Sequence, residues 1–346
     1  MSLDASIVSA LMNWYDYNAR ILPWREEPTP YRVWISEIML QQTRVEAVKP
    51  YYDRFMKELP AVEDLASVED DKLMKLWEGL GYYNRARNLK IAANQVMEEY
   101  GGIIPGDYEN LLSLKGIGEY TAGAVGSIAF GLPVAAVDGN VLRVITRITG
   151  DERDILKQST KKAITKDLLE IIPKDRAGDF NQALMELGAM VCVPNGKPKC
   201  KECPWDTICC AYKEDLTDKI PVKMPKKKRK IEKKTVFLLE YQDQIAIRKR
   251  RDAGLLAGLW EFPNGEGMLS VEEMEEQLNK WRVTHFSLDT TGMAKHIFSH
   301  IEWHMTGFHI ICKEKPEEEE FLWISREEME KEYAIPAAFD AFKAIL

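Results

Sequence analysis

The sequence predicts a two-domain chain, with an all-α domain over residues 1–218 and an α+β domain over 235–346, joined by a linker at 219–234. Three observations carry this reading. Apolar residues recur at spacings of three and four through the first two-thirds, as at Leu73, Leu76, Trp77 and Leu80 or Val141, Leu142, Ile145 and Ile148; this is the period of a helix with one buried face. Between 219 and 234 the composition turns basic, with two prolines. From 235 the apolar pattern moves toward period two, the spacing of strands. At 346 residues and 45% hydrophobic, the chain is long enough for two cores.

The elements follow in order. Thr29-Pro30 is a helix cap followed by proline in the first turn, and it opens a helix over Pro30–Thr43 that carries Glu37 among Trp34, Ile38 and Gln41. Gly101-Gly102 stops a later helix, and Pro105-Gly106-Asp107 opens the next segment. Gly116 and Gly118, in Leu114–Ala122, precede a small-residue helix, so backbone N–H groups there can face a phosphate, although a lone G-x-G is more often a plain turn. Val137-Asp138-Gly139-Asn140 then reads as an N-cap before an apolar helix. Lys219, Lys223, Lys226, Lys227, Lys228, Arg229, Lys230, Lys233 and Lys234 face one acid, Glu232, with Pro221 and Pro225 between them. Pro225–Lys230 would pass as a nuclear-localisation pattern, but a solvated linker that grazes phosphates is the reading favoured. Beyond it, Thr235–Tyr241 and Gln244–Arg250 are strands joined by a tight turn, 270–282 is an acidic amphipathic helix, and His296–Cys312 alternates with Ile297, Ile301, Trp303 and Met305 on one face.

Composition narrows the chemistry. A net charge of −8 and a pI near 5.4 argue mildly against a nucleic-acid partner, but the uneven spread of charge leaves room for a basic surface. No apolar run is long enough to cross a bilayer, and Met1-Ser2-Leu3-Asp4 carries no export signal, so a cytoplasmic protein is expected. Its six cysteines then read as ligands or thiols. All five histidines lie at 285 or beyond, so an active site in the helical part has no imidazole, and its acid or base must be a carboxylate, tyrosine or lysine.

Cys192, Cys200, Cys203 and Cys209 are spaced C-x7-C-x2-C-x5-C, just after the predicted helix Asp179–Val191. Four thiolates so close hold a [4Fe–4S] cluster or one Zn2+, and a single C-x-x-C favours the cluster. Whether Cys209 or its neighbour Cys210 is the fourth ligand stays open. Glu37, in an apolar helix, is expected to have a raised pKa and so to remain a proton donor near neutrality, unless it pairs with a cation on a solvated face. Asp138, at a helix N-terminus, is expected to stay ionised. Cleavage of a glycosidic bond uses such a pair, one carboxyl neutral and one charged.

Ser36–Thr43, the Gly116–Ala122 turn, Val137–Val141 and the cysteine spacing together resemble the MutY-type adenine DNA glycosylases, relatives of endonuclease III in the helix-hairpin-helix superfamily. That family usually has six residues between its first two cysteines where this chain has seven. The resemblance implies a helix-hairpin-helix domain with a [4Fe–4S] loop, followed by a Nudix-like domain whose core strand matches Gly258–Pro263 and which lacks the metal-binding box of Nudix hydrolases. It implies a monomer that acts on double-stranded DNA and removes adenine mispaired with 8-oxoguanine or guanine. Glu37 would protonate adenine N7 and later help activate water, Asp138 would stabilise the oxocarbenium ion, and Tyr120 and Asn140 would position the site. Endonuclease III-like enzymes have a nucleophilic lysine where this chain has Tyr120, which implies base removal without strand cleavage. Arg25 and Glu186, with Trp24 and Leu40 beside them, would hold the adenine. Gln42, Thr43, Leu80 and Tyr82 would fill the vacated stack and meet the opposite base, and Phe298-Ser299-His300 would recognise 8-oxoguanine.

Overall fold

A computed structural model describes residues 5–225, 228–316 and 320–346. Met1–Asp4 and Lys226-Lys227 of the basic run lie outside the described residues. The chain packs as two compact units. One comprises the described residues up to 67 together with 87–225, and the other joins 68–86 to the described residues from 228 on. Among the described residues no helix is long and apolar enough to cross a membrane.

The first unit is helical. Thr29 caps the helix Pro30–Leu40 by accepting from the Arg32 amide, with Pro30 in the first turn. This helix ends at Leu40, short of the expected Thr43, because Gln42 takes a positive φ of 59°. Almost every residue from Tyr31 to Met39 is buried. It packs against Glu119–Phe130, which packs in turn against Ala177–Met190, and the latter supports Gly139–Thr149. The core joins Val141, Ile145 and Ile148 to Phe180, Leu184 and Leu187. Between Tyr108–Ser113 and Glu119–Phe130 the chain turns at Gly116, whose φ is +79°. A Cβ there would also sit 2.6 Å from that of Asn88, so the position admits only glycine.

The second unit contains a seven-stranded sheet. Its strands are β1 (Lys230–Tyr241), β2 (Gln244–Lys249), β3 (Trp260–Glu261), β4 (Asn264–Glu266), β5 (Phe286–Ile297), β6 (Ile301–Cys312) and β7 (Leu322–Ser325). The order is β3-β2-β1-β6-β5, with β4 also on β1 and β7 on β2. β1 and β6 are parallel, and the other pairs are antiparallel. Central β1 is buried on both faces. Val236 and Leu238 meet Phe262, Trp303 and Phe339, while Phe237 and Leu239 meet Met274 and Leu278 of the helix Val271–Lys280. That is why this strand reads as a continuous apolar run.

Two sequence expectations change here. β1 begins at Lys230, not Thr235, because Lys230–Lys234 pair with Ile301–Met305, so part of the basic run is strand. His296–Cys312 is not one strand. β5 ends at Ile297, the chain reverses at Phe298–His300, and β6 starts at Ile301, leaving Ile297 exposed while Trp303 and Met305 are buried.

Candidate active site

Helices of the first unit enclose a cavity of about 140 Å³ whose lining includes Glu37, Tyr120, Asp138, Asn140, Arg25 and Glu186. Sequence-distant positions thus converge, and Trp24, Leu40 and Thr43 also line it. The space is well above the ~15 Å³ that a single water needs.

Glu37 is 6% exposed. Burial pushes its carboxyl up to about 7, against the opposing hydrogen bond from Tyr120 and helped by the nearby Asp138 charge. The Tyr120 hydroxyl donates to Glu37 Oε2 at 2.5 Å. Burial first, and then the two carboxyls, hold that phenol well above its ordinary range, so it remains a donor.

Asp138 is the N-cap of Gly139–Thr149 and accepts from the Val141 amide at 2.8 Å and from Asn140 Nδ2 at 2.7 Å. Burial nevertheless shifts its carboxyl upward, opposite to what the helix terminus alone would do. Of the two, Asp138 has the richer set of donors, and these oppose the rise. Asn140 Oδ1 accepts from Arg143 Nη2 at 2.8 Å, and Arg143 also donates to the carbonyls of Gly188 and Cys192, at 2.8 and 2.7 Å. Close contact between the two helices depends on Gly188, where a Cβ would stand 2.6 Å from that of Asn140.

On another wall Glu186 is 2% exposed, yet its state is the reverse of Glu37's. Burial pushes this carboxyl up, but two 2.7 Å bonds from Arg20 and one of 2.9 Å from Arg25 prevail and hold it below the usual range. Trp24 is buried against Tyr52, with ring centroids 5.3 Å apart. Sequence reasoning missed Arg20 and Arg143. No motif surrounds Arg20, whereas Arg143 interrupts the apolar face Val141-Leu142-Val144-Ile145, a visible sign that a buried cation needs acceptors.

The remaining candidates lie elsewhere. Gln42 is exposed at the end of its helix. In the second unit Leu80 is buried, Tyr82 is 49% exposed with φ +48°, and the Tyr82 and Ser299 hydroxyls are 3.1 Å apart. Phe298 packs edge-on to Trp303 at 4.9 Å, and His300 is exposed.

Cys192, Cys200, Cys203 and Cys209 line one cavity of about 30 Å³. Cys210 is not among its lining and packs against Gly150. Arg147 Nη1 stands 3.3 Å from Cys192 Sγ. Burial pushes the Cys203 thiol up to about 12 and raises Cys200 and Cys209 as well. Among the described residues no three His, Cys, Asp or Glu side chains converge as a single metal ion requires.

Residues 35–174 match the model of the HhH-GPD superfamily base excision DNA repair proteins, and residues 235–344 match the NUDIX domain. A solved thermostable thymine-DNA glycosylase is similar over 60% of this chain and 96% of its own, at 33% identity and a TM-score of 0.55. Endonuclease III in a non-covalent DNA complex is similar over 62% and 99%, at 25% identity and a TM-score of 0.53. Fold and cavity together define a base excision repair protein with a helical HhH-GPD domain and a C-terminal Nudix-like domain. The adenine DNA glycosylase of Schizosaccharomyces pombe is 36% identical over 93% of this chain and 85% of its own length. That of Mus musculus is 35% identical over 85% and 68%. The chain belongs to the adenine DNA glycosylases.

Proposed function

We propose that this chain binds double-stranded DNA as a monomer and removes adenine mispaired with 8-oxoguanine or guanine, by hydrolysis and without strand cleavage. The observation that carries the chemistry is a buried glutamate, its carboxyl pushed up to about 7, and a hydrogen-bonded aspartate lining one cavity of about 140 Å³. With the base extruded from the stack, Glu37 gives its proton to adenine N7 and weakens the bond to deoxyribose. Asp138, oriented by Asn140 and the Val141 amide, faces the positive charge that develops on the sugar. Glu37, now a carboxylate, takes a proton from the attacking water, and Tyr120 fixes its orientation throughout. Arg25 and Glu186, with Trp24 and Leu40 on the apolar side, hold the base. Gly116 and Gly118 supply amides to a phosphate. Gln42, Thr43, Leu80 and Tyr82 fill the gap in the duplex, and Phe298, Ser299 and His300 face the 8-oxoguanine. In this division of labour the helical unit cuts, and the sheet unit, which includes residues 68–86, recognises.

Cys192, Cys200, Cys203 and Cys209, all half-buried, would hold a [4Fe–4S] cluster, which when bound would supply cations for four thiolate ligands and keep the loop folded. The fit rests on four sulfurs around one cavity and on Cys209 facing it where Cys210 does not. Iron and acid-labile sulfide near four per chain are expected; stoichiometric zinc would contradict this.

The test of function is a single-turnover assay on a duplex with adenine opposite 8-oxoguanine. An alkali-labile abasic product is expected, with no adduct trapped by borohydride, and absence of product would reject the proposal. A trapped adduct would favour instead a lyase of the endonuclease III kind, which Tyr120 cannot support as an amine would.

A further inference from the structure

Residues 68–86 pack with the sheet unit although they precede it in sequence by more than half the chain. The helix Asp70–Trp77 lies against the helix Arg326–Glu332. Lys75 Nζ donates to the Met329 and Tyr333 carbonyls, at 3.3 and 3.1 Å, where the latter helix ends and a cation is favoured. It also bonds Glu78 Oε2 at 2.6 Å. The other oxygen of Glu78 accepts from the Ile335 amide at 3.1 Å and from Lys343 Nζ at 3.4 Å, and Lys343 donates back to the Ile335 carbonyl at 2.9 Å. Asp71 accepts from Lys249 and from the Trp260 indole, at 2.9 and 3.2 Å.

The loop that follows is bonded to itself. Gly79, Gly81 and Tyr82 all have positive φ, the Arg85 guanidinium donates to the Leu80 and Gly81 carbonyls at 2.9 and 3.0 Å, and it covers the rings of Trp77 and Tyr82. At its tip the Tyr82 hydroxyl meets Ser299. The segment is therefore held at its base by Asp71, Lys75 and Glu78, and at its tip by Ser299.

We infer that Glu78, clamped by Lys75, Lys343 and the Ile335 amide, is a positioning residue for mispair specificity, holding the loops of Tyr82 and Ser299 in register so that they read the duplex as one body. This rests on the reading in which Phe298–His300 face the base opposite adenine. Both oxygens of Glu78 are engaged and its side chain is only partly exposed, so the clamp is better shielded than an ordinary surface ion pair. Glu37 and Asp138 belong to the other unit, so loosening the clamp leaves their chemistry intact.

The experiment measures single-turnover rates of the full-length Glu78→Ala protein on adenine opposite 8-oxoguanine and opposite guanine, with amide exchange of residues 77–83. Loss of charge-assisted bonds of this kind is expected to lower the preference for 8-oxoguanine about tenfold, with the rate opposite guanine unchanged. Exchange at 77–83 is expected to accelerate. Glu78→Gln keeps an acceptor for the Ile335 amide, so it is expected to restore part of the preference, and it decides the matter if the alanine variant does not fold. An unchanged preference, or an equal fall of both rates, would overturn the inference. A wild-type protein with no preference would refute the underlying reading instead, and unaltered exchange at 77–83 in the variant would then overturn the clamp.

Discussion

Two walls of one cavity each carry a buried glutamate, and the two are in opposite states. Glu186 meets Arg20 and Arg25 and stays ionised. Glu37 meets a phenol and lies near Asp138, and burial moves it to about 7. Both are buried glutamates, and the difference follows their partners. Two guanidiniums outweigh desolvation, whereas one neutral hydroxyl does not. The cavity therefore holds one glutamate kept ionised and one whose proton is retained to about 7, the pair that the proposed function requires.

The comparison breaks most sharply at Glu37. Glu37→Gln keeps shape and burial but has no proton to give, so the single-turnover rate is expected to fall about 10²–10⁴-fold, with duplex affinity by gel shift nearly unchanged. Asp138→Asn keeps the cap but removes the charge facing the sugar, and a loss of roughly 10²–10³-fold is expected in the same assay.

Glu37 also leaves a mark on stability. Its folded pKa lies above the ordinary 4.5, so its contribution is fully present below about 4.5 and is lost as pH rises through about 7. Near neutrality and above, the wild type must bury a charge that Glu37→Gln lacks. The variant is expected to be more stable there by up to about 3 kcal/mol, from 1.36 kcal/mol for each pH unit between the two values. Urea melts should show the gap close in acid.

On the other wall, Arg20→Ala leaves Glu186 with Arg25 alone. Stability is expected to drop by about 3 kcal/mol and KM to rise about tenfold, while the pH dependence of the chemical step is unmoved because Glu37 is untouched. Smallest is the response of the wild-type rate to pH, which is expected to be level in acid and to fall tenfold per unit above about 7, as the acid form of Glu37 disappears.

Much of this was legible in the sequence. The apolar run around Glu37 announced a buried carboxyl, Thr29-Pro30 announced the cap, and the absence of histidine before 285 confined the acid or base to a carboxylate, tyrosine or lysine. The two-part fold could be read because helix and strand periods differ. What could not be read depended on partners remote in sequence. Arg20 lies 166 positions from Glu186, and no local pattern links them. The burial that opposes the charge on Asp138 could not be read either, because a cap is local while burial is tertiary. The joining of 68–86 to the sheet unit rests in part on Lys75 and Glu78, whose partners Met329, Tyr333 and Ile335 no local pattern links to them.

The most direct measurement is a pH titration of the Glu37 carboxyl, followed by infrared or carbon NMR difference between wild type and Glu37→Gln. A midpoint near 7 is expected. A midpoint near the ordinary 4.5 would mean that Glu37 is a carboxylate at neutrality, with no proton to give to the base.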